Sequence, residues 1–486
     1  MERVSRLCQW SVSAVLLFAL GVAAEAGCVN PGGTGGCVTT ITAAVAAAAA
    51  GETITVAPGT YDESGISITG LDGLIIKGTG VNPVTGLPPN PAKVVVDAGG
   101  VGDVFSVDSA NVKIKNLTVR NAGSTGATVT PNGSGSSLTD VWIRGLAGFS
   151  GDCIFIDTGA DNVRVVRADI KGCGNLAIDA SADGLVVKNS LIRLTNEGAI
   201  QITGNNAVVR NNIIDTIEDV DCIFVEGDNA QITGNTLTNC DGHGVEVFGD
   251  AATISMNVVS GMSLSGIFVE GANPTVTQNT VTFAVGGFDI ACSPCTGGAV
   301  SDNVAQDVIN DSSGFTLSAD AAGLIVERNL AQRATNHGFD INGTGITLQD
   351  NNQALDNGAE SEKGFRITGT SHVLTNNQAV GNAGDGFFIT GTGHTLTGNT
   401  ALSNNEDGFD VDGGVGTTMV TLTSNVAKKN GGVGIEVSPA VTVLSLTNNK
   451  AKKNLLDFCN DGTVTTSAGN VFGTTGTPGS CSIIGD

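Results

Sequence analysis

The chain has 486 residues, a formal net charge of -24 at pH 7 and only 23 lysines and arginines. Because binding to phosphate groups requires a basic face, this charge argues against nucleic acid or an anionic membrane surface as the partner. A hydrophobic content of 41% is ample for a folded core, so the 69 glycines are interpreted as turn residues rather than as a sign of disorder.

The N-terminus is predicted to be an export signal. Arg3 and Arg6 precede an apolar run that is followed by small residues ending at Ala26, so residues 1–26 are assigned to a signal peptide. The run is shorter than the roughly 20 residues needed to span a bilayer. We therefore expect an extracellular or periplasmic protein with no membrane span.

The cysteines favour an oxidising compartment. Only Cys8 of the 11 cysteines lies in the predicted signal, which leaves an even set. Neighbours in sequence suggest the pairs Cys28/Cys37, Cys153/Cys173, Cys222/Cys240, Cys292/Cys295 and Cys459/Cys481. Sequence does not prove connectivity, and Cys292 and Cys295 form a Cys-x-x-Cys motif that could instead be a redox or metal site.

The segment 27–60 is predicted to be an N-terminal cap. Residues 39–50 are rich in alanine and end at Gly51, a pattern that is typical of a helix with a glycine C-cap. A stack of strands exposes unpaired edges at its ends, and these must be covered. We expect this helix to cover the first coil.

An internal repeat dominates the rest of the chain. A small residue, an apolar residue, a variable residue and a second apolar residue recur about every 21 to 27 positions, as in Gly338-Phe339-Asp340-Ile341 and Gly408-Phe409-Asp410-Val411. This period fits one coil of three short strands. Alternation places the two apolar residues inward and the variable residue outward.

The repeat predicts an all-β solenoid, because a single coil cannot bury its inner face alone. We expect a single-stranded parallel β-helix of about 15 coils over residues 61–456, followed by a C-terminal cap over 457–486. One asparagine per coil is predicted to hydrogen-bond from coil to coil at a turn. The predicted members are Asn189, Asn211, Asn235, Asn257, Asn279, Asn303, Asn329, Asn351, Asn377, Asn399, Asn425 and Asn449.

These motifs resemble a known family. The opening segment from Thr40 to Tyr61 and the Gly-Phe-x-Ile coils are similar to pectin-lyase-like right-handed β-helix proteins. The resemblance implies a right-handed helix. It is weak for function, because the superfamily includes polysaccharide lyases, glycoside hydrolases, epimerases, phage tailspikes and accessory proteins of copper enzymes.

A local resemblance points to polygalacturonases. Asp221-Cys222, Cys240 and Gly242-His243-Gly244 look like the middle of that family's series of motifs, which implies catalytic roles for Asp221 and His243. The family's general acid is replaced by Val220, and Thr195-Asn196-Glu197-Gly198 stands in place of Asn-Thr-Asp-Gly. The alternative is that Asp221 and His243 are turn residues that precede the start of a strand.

The outward residues of the repeat form a second candidate surface, here called the stripe. We expect the stripe to contain Phe224, Glu246, Phe268, Asp289, Thr316, Asp340, Arg366, Phe388, Asp410 and Glu436. Neighbouring coils would place its side chains ~5 Å apart and alternate coils ~10 Å apart, which spans the carboxylate separations that glycosidases use. The predicted substrate-binding residues are Glu246, Asp289, Asp340, Arg366 and Asp410.

Two further possibilities concern ions. Arg366, together with calcium held by the acidic residues, could support an elimination reaction on a uronate, although the stripe could equally be a solvated acidic face. His372 and His394 are 22 residues apart and should stack on adjacent coils, where they could share a copper or zinc ion. With no clear third ligand, the alternative is a pair of exposed turn histidines, and no metal site is assigned.

Two functional hypotheses follow. The first is an exported, non-catalytic β-helix that presents an acidic face to a glycan, a cation or a cell-surface partner. The second is a polysaccharide-active enzyme, whether a lyase, a hydrolase or an epimerase. Calcium is the candidate cofactor, and the sequence leaves the oligomeric state open.

Overall fold

The computed structural model describes residues 25–80, 93–145, 151–292, 295–318, 321–412 and 416–476. Most of the predicted signal peptide lies outside these ranges, as does Cys481 and with it the predicted Cys459/Cys481 pair. The described chain winds into a solenoid of three parallel sheets, and each coil contributes one strand to each sheet. This is the predicted fold class.

Sheet 1 contains the repeated small-apolar-variable-apolar segments. Its strands are Ile66–Thr69, Phe105–Asp108, Ala127–Val129, Ile154–Ile156, Ile178–Ala180, Ile200–Ile202, Ile223–Val225, Val245–Val247, Ser265–Val269, Gly286–Ile290, Phe315–Leu317, Phe339–Ile341, Phe365–Ile367, Phe387–Ile389, Phe409–Val411, Val433–Val437 and Leu456–Asn460.

Sheet 2 follows sheet 1 in each coil. Its strands are Thr53–Val56, Ile75–Gly78, Lys113–Arg120, Ser137–Arg144, Arg164–Val166, Val186–Lys188, Val208–Arg210, Gln231–Thr233, Thr253–Ser255, Thr275–Thr277, Ala299–Ser301, Ile325–Glu327, Thr347–Gln349, Val373–Thr375, Thr395–Thr397, Thr418–Thr423, Thr442–Thr447 and Thr463–Ala468.

Sheet 3 completes the coil, and two long strands, Lys113–Arg120 and Ser137–Arg144, bend from sheet 2 into it. Its other strands are Gly59–Asp62, Val94–Asp97, Asp169–Lys171, Leu191–Thr195, Ile213–Ile217, Thr236–Cys240, Val258–Ser260, Thr280–Thr282, Val304–Gln306, Leu330–Gln332, Gln353–Leu355, Gln378–Val380, Thr400–Leu402, Val426–Lys428, Lys450–Lys452 and Val471–Phe472.

The solenoid has about 18 turns rather than about 15. The first turns were underestimated because their sheet 1 strands, such as Ile66–Thr69 and Phe105–Asp108, lack the glycine-phenylalanine signature of the later repeats. Paired strands extend from Glu25 to Phe472 in the described chain. The predicted boundaries of the cap segments at residues 60 and 456 remain predictions.

The N-terminal end of the solenoid is covered by a short helix, as predicted. The helix spans Ile41–Ala47, within the predicted 39–50, and its buried residues face the first coil together with strands Glu25–Val29 and Cys37–Val38. Thr40 caps it by accepting a hydrogen bond from the Ala43 N–H. Single 3₁₀ turns at Thr34–Gly36 and Pro131–Gly133 complete the helical segments.

The core is a set of side-chain stacks along the solenoid axis. The sheet 1 phenylalanines from Phe288 to Phe409 stack with ring centroids 4.7–4.8 Å apart and nearly parallel planes, and each is fully buried. Alanines such as Ala401 face this stack from sheet 3. A Cβ on Gly386 would lie 2.8 Å from the Ala401 Cβ and 2.7 Å from the Asn404 Nδ2, so the repeat needs glycine at this turn.

Two asparagine ladders bind the coils to one another. In the predicted ladder, the Asn257 side chain donates to Asn279 Oδ1 and to the Ile232 carbonyl, and its own Oδ1 accepts two hydrogen bonds from Asn235. A second ladder, which was not predicted, runs through Asn357, Asn382, Asn404, Asn430 and Asn454.

The prediction of the first ladder was wrong at three positions. Ser190, Asn212 and Asn352 occupy the ladder instead of Asn189, Asn211 and Asn351. Each displaced asparagine has a positive φ and forms the turn immediately before the ladder.

Candidate functional site

The outward residues of sheet 1 form the predicted stripe. Parallel pairing places Phe224 beside Glu246, Glu246 beside Phe268 and Phe268 beside Asp289, and the same register continues to Glu436. The period-2 alternation and the repeat therefore located these side chains correctly. The role of these residues in substrate binding stays a prediction.

A second line of side chains runs next to the stripe. It consists of the residue before the glycine, cysteine or other small residue that opens each sheet 1 strand, and we call it the turn row. Asp221 belongs to it, and its Oδ1 accepts a hydrogen bond from the His243 N–H at 2.5 Å. Asp152, Asp385 and Asp407 accept the equivalent N–H of the next coil.

The Asp221 side chain lies beside Glu246, the stripe residue of the following coil. Glu246 is hydrogen-bonded to Asp221 in this way. Burial, this hydrogen bond and the nearby negative charges raise the pKa of Glu246 to about 8. Glu246 and Asp221 therefore share one proton at neutral pH, and the two residues form an acid dyad.

His243 holds this dyad in place. Its Nδ1 accepts a hydrogen bond from the Ser265 N–H, its Nε2 lies 3.8 Å from Glu246 Oε1, and its ring contacts Phe268 with centroids 5.2 Å apart. Burial lowers the pKa of His243, although the Asp221 charge acts in the opposite direction. The structure thus brings together both predicted catalytic residues, and adds Glu246 to them.

A cavity of about 620 Å³ opens beside the dyad. Its lining residues are Asn175, Leu176, Asp179, Glu197, Gly198, Ile200, Gln201, Asp219, Val220, Asp221, Phe224 and Glu246. Burial, with the charge of Asp152 as a second cause, raises the pKa of Asp179. The cavity therefore combines several carboxyl groups, two of which have raised pKa values, with apolar surface.

An aromatic patch borders the dyad. Phe248 lies between Phe224 and Phe268, with ring centroids 5.8 and 5.9 Å away, and Phe248 is 39% exposed. Phe224 and Phe268 were predicted to point outward on the stripe, and the structure confirms this, whereas Phe248 was not predicted as part of a candidate site. Partly exposed rings of this kind offer a face on which a sugar ring can stack.

Other predicted substrate-binding residues lie further along the stripe. Asp289 and Asp340 line a second, smaller cavity of about 230 Å³, and burial raises the pKa of Asp289. Arg366 Nη1 is 2.9 Å from Asp340 Oδ1. The structure thus separates these three residues from the dyad.

Asp410 belongs to an acidic cluster eight coils beyond the dyad. Its acidic neighbours include the buried Asp385 and Asp407 and the partly buried Glu436, and burial, together with their charges, raises the pKa of Asp410 well above its usual range. Asp407 is hydrogen-bonded to Glu436 just as Asp221 is to Glu246. Lys363 contributes the positive charge, with its Nζ 3.1 Å from Asp385 Oδ2.

The histidine pair is buried rather than exposed. His372 and His394 stack with ring centroids 5.1 Å apart, and both side chains are inaccessible to solvent. Each Nδ1 accepts a backbone N–H, from Ile346 and His372 respectively, and each Nε2 contacts a backbone carbonyl of its own turn. These contacts occupy both ring nitrogens, so the expectation of exposed turn histidines was wrong.

Four of the predicted cysteine pairs are joined in the structure. They are Cys28–Cys37, Cys153–Cys173, Cys222–Cys240 and Cys292–Cys295. Cys222 directly follows Asp221, so its bridge to Cys240 in sheet 3 restrains the coil that carries the dyad.

Within the described ranges, no group of three histidine, cysteine, aspartate or glutamate side chains converges as a metal site would require. None of the helices described has the length and apolarity needed to cross a bilayer.

Three cavity residues, Asp179, Glu197 and Asp219, were not predicted as site residues. Asp179 occupies the stripe three coils before Glu246. Extending the predicted stripe toward the N-terminus would have found it. Glu197 and Asp219 lie in turns, where the repeat does not indicate the direction of a side chain.

The stacked coils and the stripe define a right-handed parallel β-helix protein. The chain belongs to the family described as right handed beta helix region, whose model matches residues 99–251, 221–400 and 357–472. No curated protein matches the chain.

Several solved structures are similar to it at low identity. The catalytic domain of a GH87 alpha-1,3-glucanase in complex with nigerose is 12% identical over 71% of this chain, with a TM-score of 0.36, and this chain covers 64% of that domain. The A-module of a mannuronan C-5 epimerase from Azotobacter vinelandii is 15% identical over 91% of this chain and 96% of its own length, with a TM-score of 0.26. A mutant periplasmic alginate epimerase is 12% identical over 77% and 79%, with a TM-score of 0.24. None of these likenesses is used to assign an activity.

Proposed function

We propose that this protein is an exported glycan hydrolase that works at the cavity beside Asp221 and Glu246. The observation that carries the proposal is the acid dyad, in which Glu246 and Asp221 are hydrogen-bonded at the wall of a cavity of about 620 Å³. Such a dyad can hold a proton in place and accept another from water. The partly exposed Phe224, Phe248 and Phe268 support a sugar as the ligand.

The dyad alone does not complete a hydrolysis. Inverting glycosidases use a carboxylate that activates water and a carboxylic acid that protonates the leaving oxygen, roughly 6.5–9.5 Å apart. Two carboxyls in hydrogen-bond contact are too close to occupy opposite sides of a sugar. A third carboxyl across the cavity must therefore supply the acid.

Asp179 is the candidate for this acid. It lines the same cavity as Asp221, and burial raises its pKa. In the proposed reaction Asp221 takes a proton from water, the water oxygen attacks the anomeric carbon, and Asp179 protonates the departing oxygen. Glu246 and His243 position Asp221. The product would have inverted configuration.

The activity test uses substitutions that keep the shape of each side chain. Purified protein is incubated with a panel of polysaccharides, and new reducing ends are measured. Asp221→Asn and Asp179→Asn should each lower the rate by about 10²–10⁴-fold, the usual contribution of a general acid or base. Asp407→Asn is the matched control, because Asp407 caps a backbone N–H as Asp221 does but lies far from the cavity. Equal losses in Asp221→Asn and Asp407→Asn would contradict the proposal.

The second candidate is a non-catalytic protein that presents its acidic face to a glycan, a cation or a cell-surface partner. It is favoured by the recurrence of the capping hydrogen bond, since Asp152, Asp385 and Asp407 make the same contact as Asp221 without the large cavity. Glycan binding without any new reducing ends would support this candidate. Calcium binding, which remains a prediction, would be tested by calorimetry.

Export is part of the proposal. The four disulfides in the described chain support an oxidising compartment, as extracellular and periplasmic proteins have. Fusing residues 1–26 to a reporter enzyme and measuring its export tests the predicted signal directly.

A further inference from the structure

The wall of the cavity is acidic. Five of its lining residues carry a carboxyl group, namely Asp179, Glu197, Asp219, Asp221 and Glu246, and none of the lining residues that the structure describes is lysine, arginine or histidine. Even with Glu246 protonated, several negative charges face the same space. A ligand that carries negative charges would be repelled there.

Lys363 shows how the same face of the protein binds a positive charge. Its ammonium group lies 3.1 Å from Asp385 Oδ2 and 3.0 Å from Glu406 Oε2, and 5.5 Å from the centroid of the Phe388 ring. Lys363 belongs to the turn row, and Phe388 is the stripe residue of the next coil. The protein thus uses two carboxylates and a phenylalanine face to hold an ammonium ion.

The cavity contains the same groups without an ammonium ion of the protein. Asp221 and Asp219 supply carboxylates, and Phe224 supplies a ring that is part of the cavity wall. In the Lys363 cluster the cation is a side chain of the chain itself. At the cavity, none of the lining residues that the structure describes supplies such a cation.

We propose that the cavity binds a glycan with free, protonated amino groups, a hexosamine polymer rather than a uronate polymer. This inference rests on the proposed function and names its substrate class. An amino group on the sugar would take the place that Lys363 Nζ has in the acidic cluster, between carboxylates and against a phenylalanine ring. The sugar face would stack on the remaining aromatic surface.

The test compares three hexasaccharides of equal length: glucosamine, N-acetylglucosamine and galacturonate. Dissociation constants of the full chain are measured by calorimetry at pH 6, at low and high salt. The glucosamine hexamer should bind most tightly, and its affinity should fall as salt screens the carboxylates. The N-acetylglucosamine hexamer should bind more weakly with little salt dependence, and the galacturonate hexamer should bind weakest.

Two variants test whether the preference for glucosamine arises from the carboxylates of the cavity. Asp219→Asn keeps a residue that tolerates the left-handed φ of 68° at that position, and Glu197→Gln keeps the side-chain shape. Each should weaken glucosamine binding by about two- to fivefold, as expected for one partly exposed ion pair, and leave N-acetylglucosamine binding unchanged. Asp302→Asn, which removes a carboxylate paired with Arg328 in the turns between sheets 2 and 3, is the control and should change neither.

The outcomes separate this inference from the proposed function. Galacturonate binding as tight as glucosamine binding, or an amine preference that persists in Asp219→Asn with Glu197→Gln, would overturn the inference. Cleavage of the N-acetylglucosamine hexamer without any amine preference would overturn it too, yet leave the hydrolase proposal standing. Salt-dependent glucosamine binding without cleavage of any glycan would support it and contradict the hydrolase proposal.

Discussion

Asp407 makes the same side-chain contact with Glu436 that Asp221 makes with Glu246. In both pairs an aspartate that caps the backbone of the following coil is hydrogen-bonded to the glutamate on the stripe of that coil. The two pairs are eight coils apart on one face of the solenoid. The geometry of the dyad is therefore a property of the repeat, and the cavity and aromatic patch distinguish the pair at Asp221.

The pH dependence of activity should report the dyad. The raised pKa of Glu246, about 8, means that the pair keeps its shared proton below that pH and loses it above. Loss of this proton removes the hydrogen bond through which Glu246 positions Asp221, so we expect the rate to fall as pH rises through an apparent pKa near 8, which belongs to the pair. In Glu246→Gln the amide still donates to Asp221 but does not titrate, so this alkaline limb should disappear. A limb unchanged in the variant would show that another group causes it.

The buried histidines should make the protein sensitive to acid. Burial, followed by the neighbouring His394, lowers the pKa of His372 from 6.5 to about 4. In the unfolded chain the ring binds a proton below pH 6.5, whereas in the folded protein it stays neutral down to about pH 4. The free energy of unfolding should therefore decrease by about 3 kcal/mol as the pH falls from 6.5 to 4. Denaturant unfolding of wild type and His372→Asn across this range measures the effect. The stability advantage of the wild type should shrink as the pH falls, and a constant difference would contradict the assignment.

The ladder asparagines should contribute far more to stability than their exposed neighbours. Asn404 donates to Asn430 Oδ1 and to the Ala379 carbonyl and accepts from Asn382, whereas the adjacent Asn405 is exposed. Asn404→Ala leaves several buried polar groups without partners, each at a cost of about 1–3 kcal/mol. We expect Asn404→Ala to lower the free energy of unfolding by about 3 kcal/mol or more.

Asn405→Ala is the matched control for this substitution and should change the free energy of unfolding by less than about 0.5 kcal/mol. Urea unfolding followed by circular dichroism gives both values. Similar effects of the two variants would mean that the ladder is not a major source of stability.

Lys363→Met should destabilise the protein more at high pH than at low pH. Burial raises the pKa of Asp385, and the Lys363 charge opposes this rise. Without Lys363, Asp385 must either be buried as an unpaired charge or take up a proton, and the second option becomes costlier as the pH increases. Unfolding at pH 5 and pH 8 measures the difference. Met preserves the length and the contact with Phe388, and an equal loss at both pH values would indicate lost packing instead.

The architecture could be predicted from the sequence because every coil repeats the same local rule. Alternation placed Phe339 inward and Asp340 outward, and the repeat aligned such residues across coils. The repeat did not determine which asparagine enters the ladder where two asparagines are adjacent. At Asn211-Asn212 and Asn351-Asn352 either residue could enter the ladder, and the positive φ of the first one decides in favour of the second.

The dyad was only partly predictable. Asp221, His243 and Glu246 were each identified, but as members of two different candidate surfaces. The contact between Asp221 and Glu246 joins the turn of one coil to the strand of the next. The two residues are 25 positions apart in sequence, whereas Asp407 and Glu436 are 29 apart, because the intervening turns differ in length. The burial of His372 and His394 was missed because a Gly-Thr-x-His turn does not show that the ring points inward.

The short helix at Ile41–Ala47 has a consequence for the behaviour of the protein at high concentration. Every coil offers donors and acceptors above and below, so an uncovered first coil would accept the last coil of another molecule. The helix blocks this contact, and Glu63 anchors it by accepting hydrogen bonds from the N–H groups of Ile41 and Thr42. Loss of this anchor would favour end-to-end contacts between molecules, so one surface carboxylate helps to protect the N-terminal end of the solenoid.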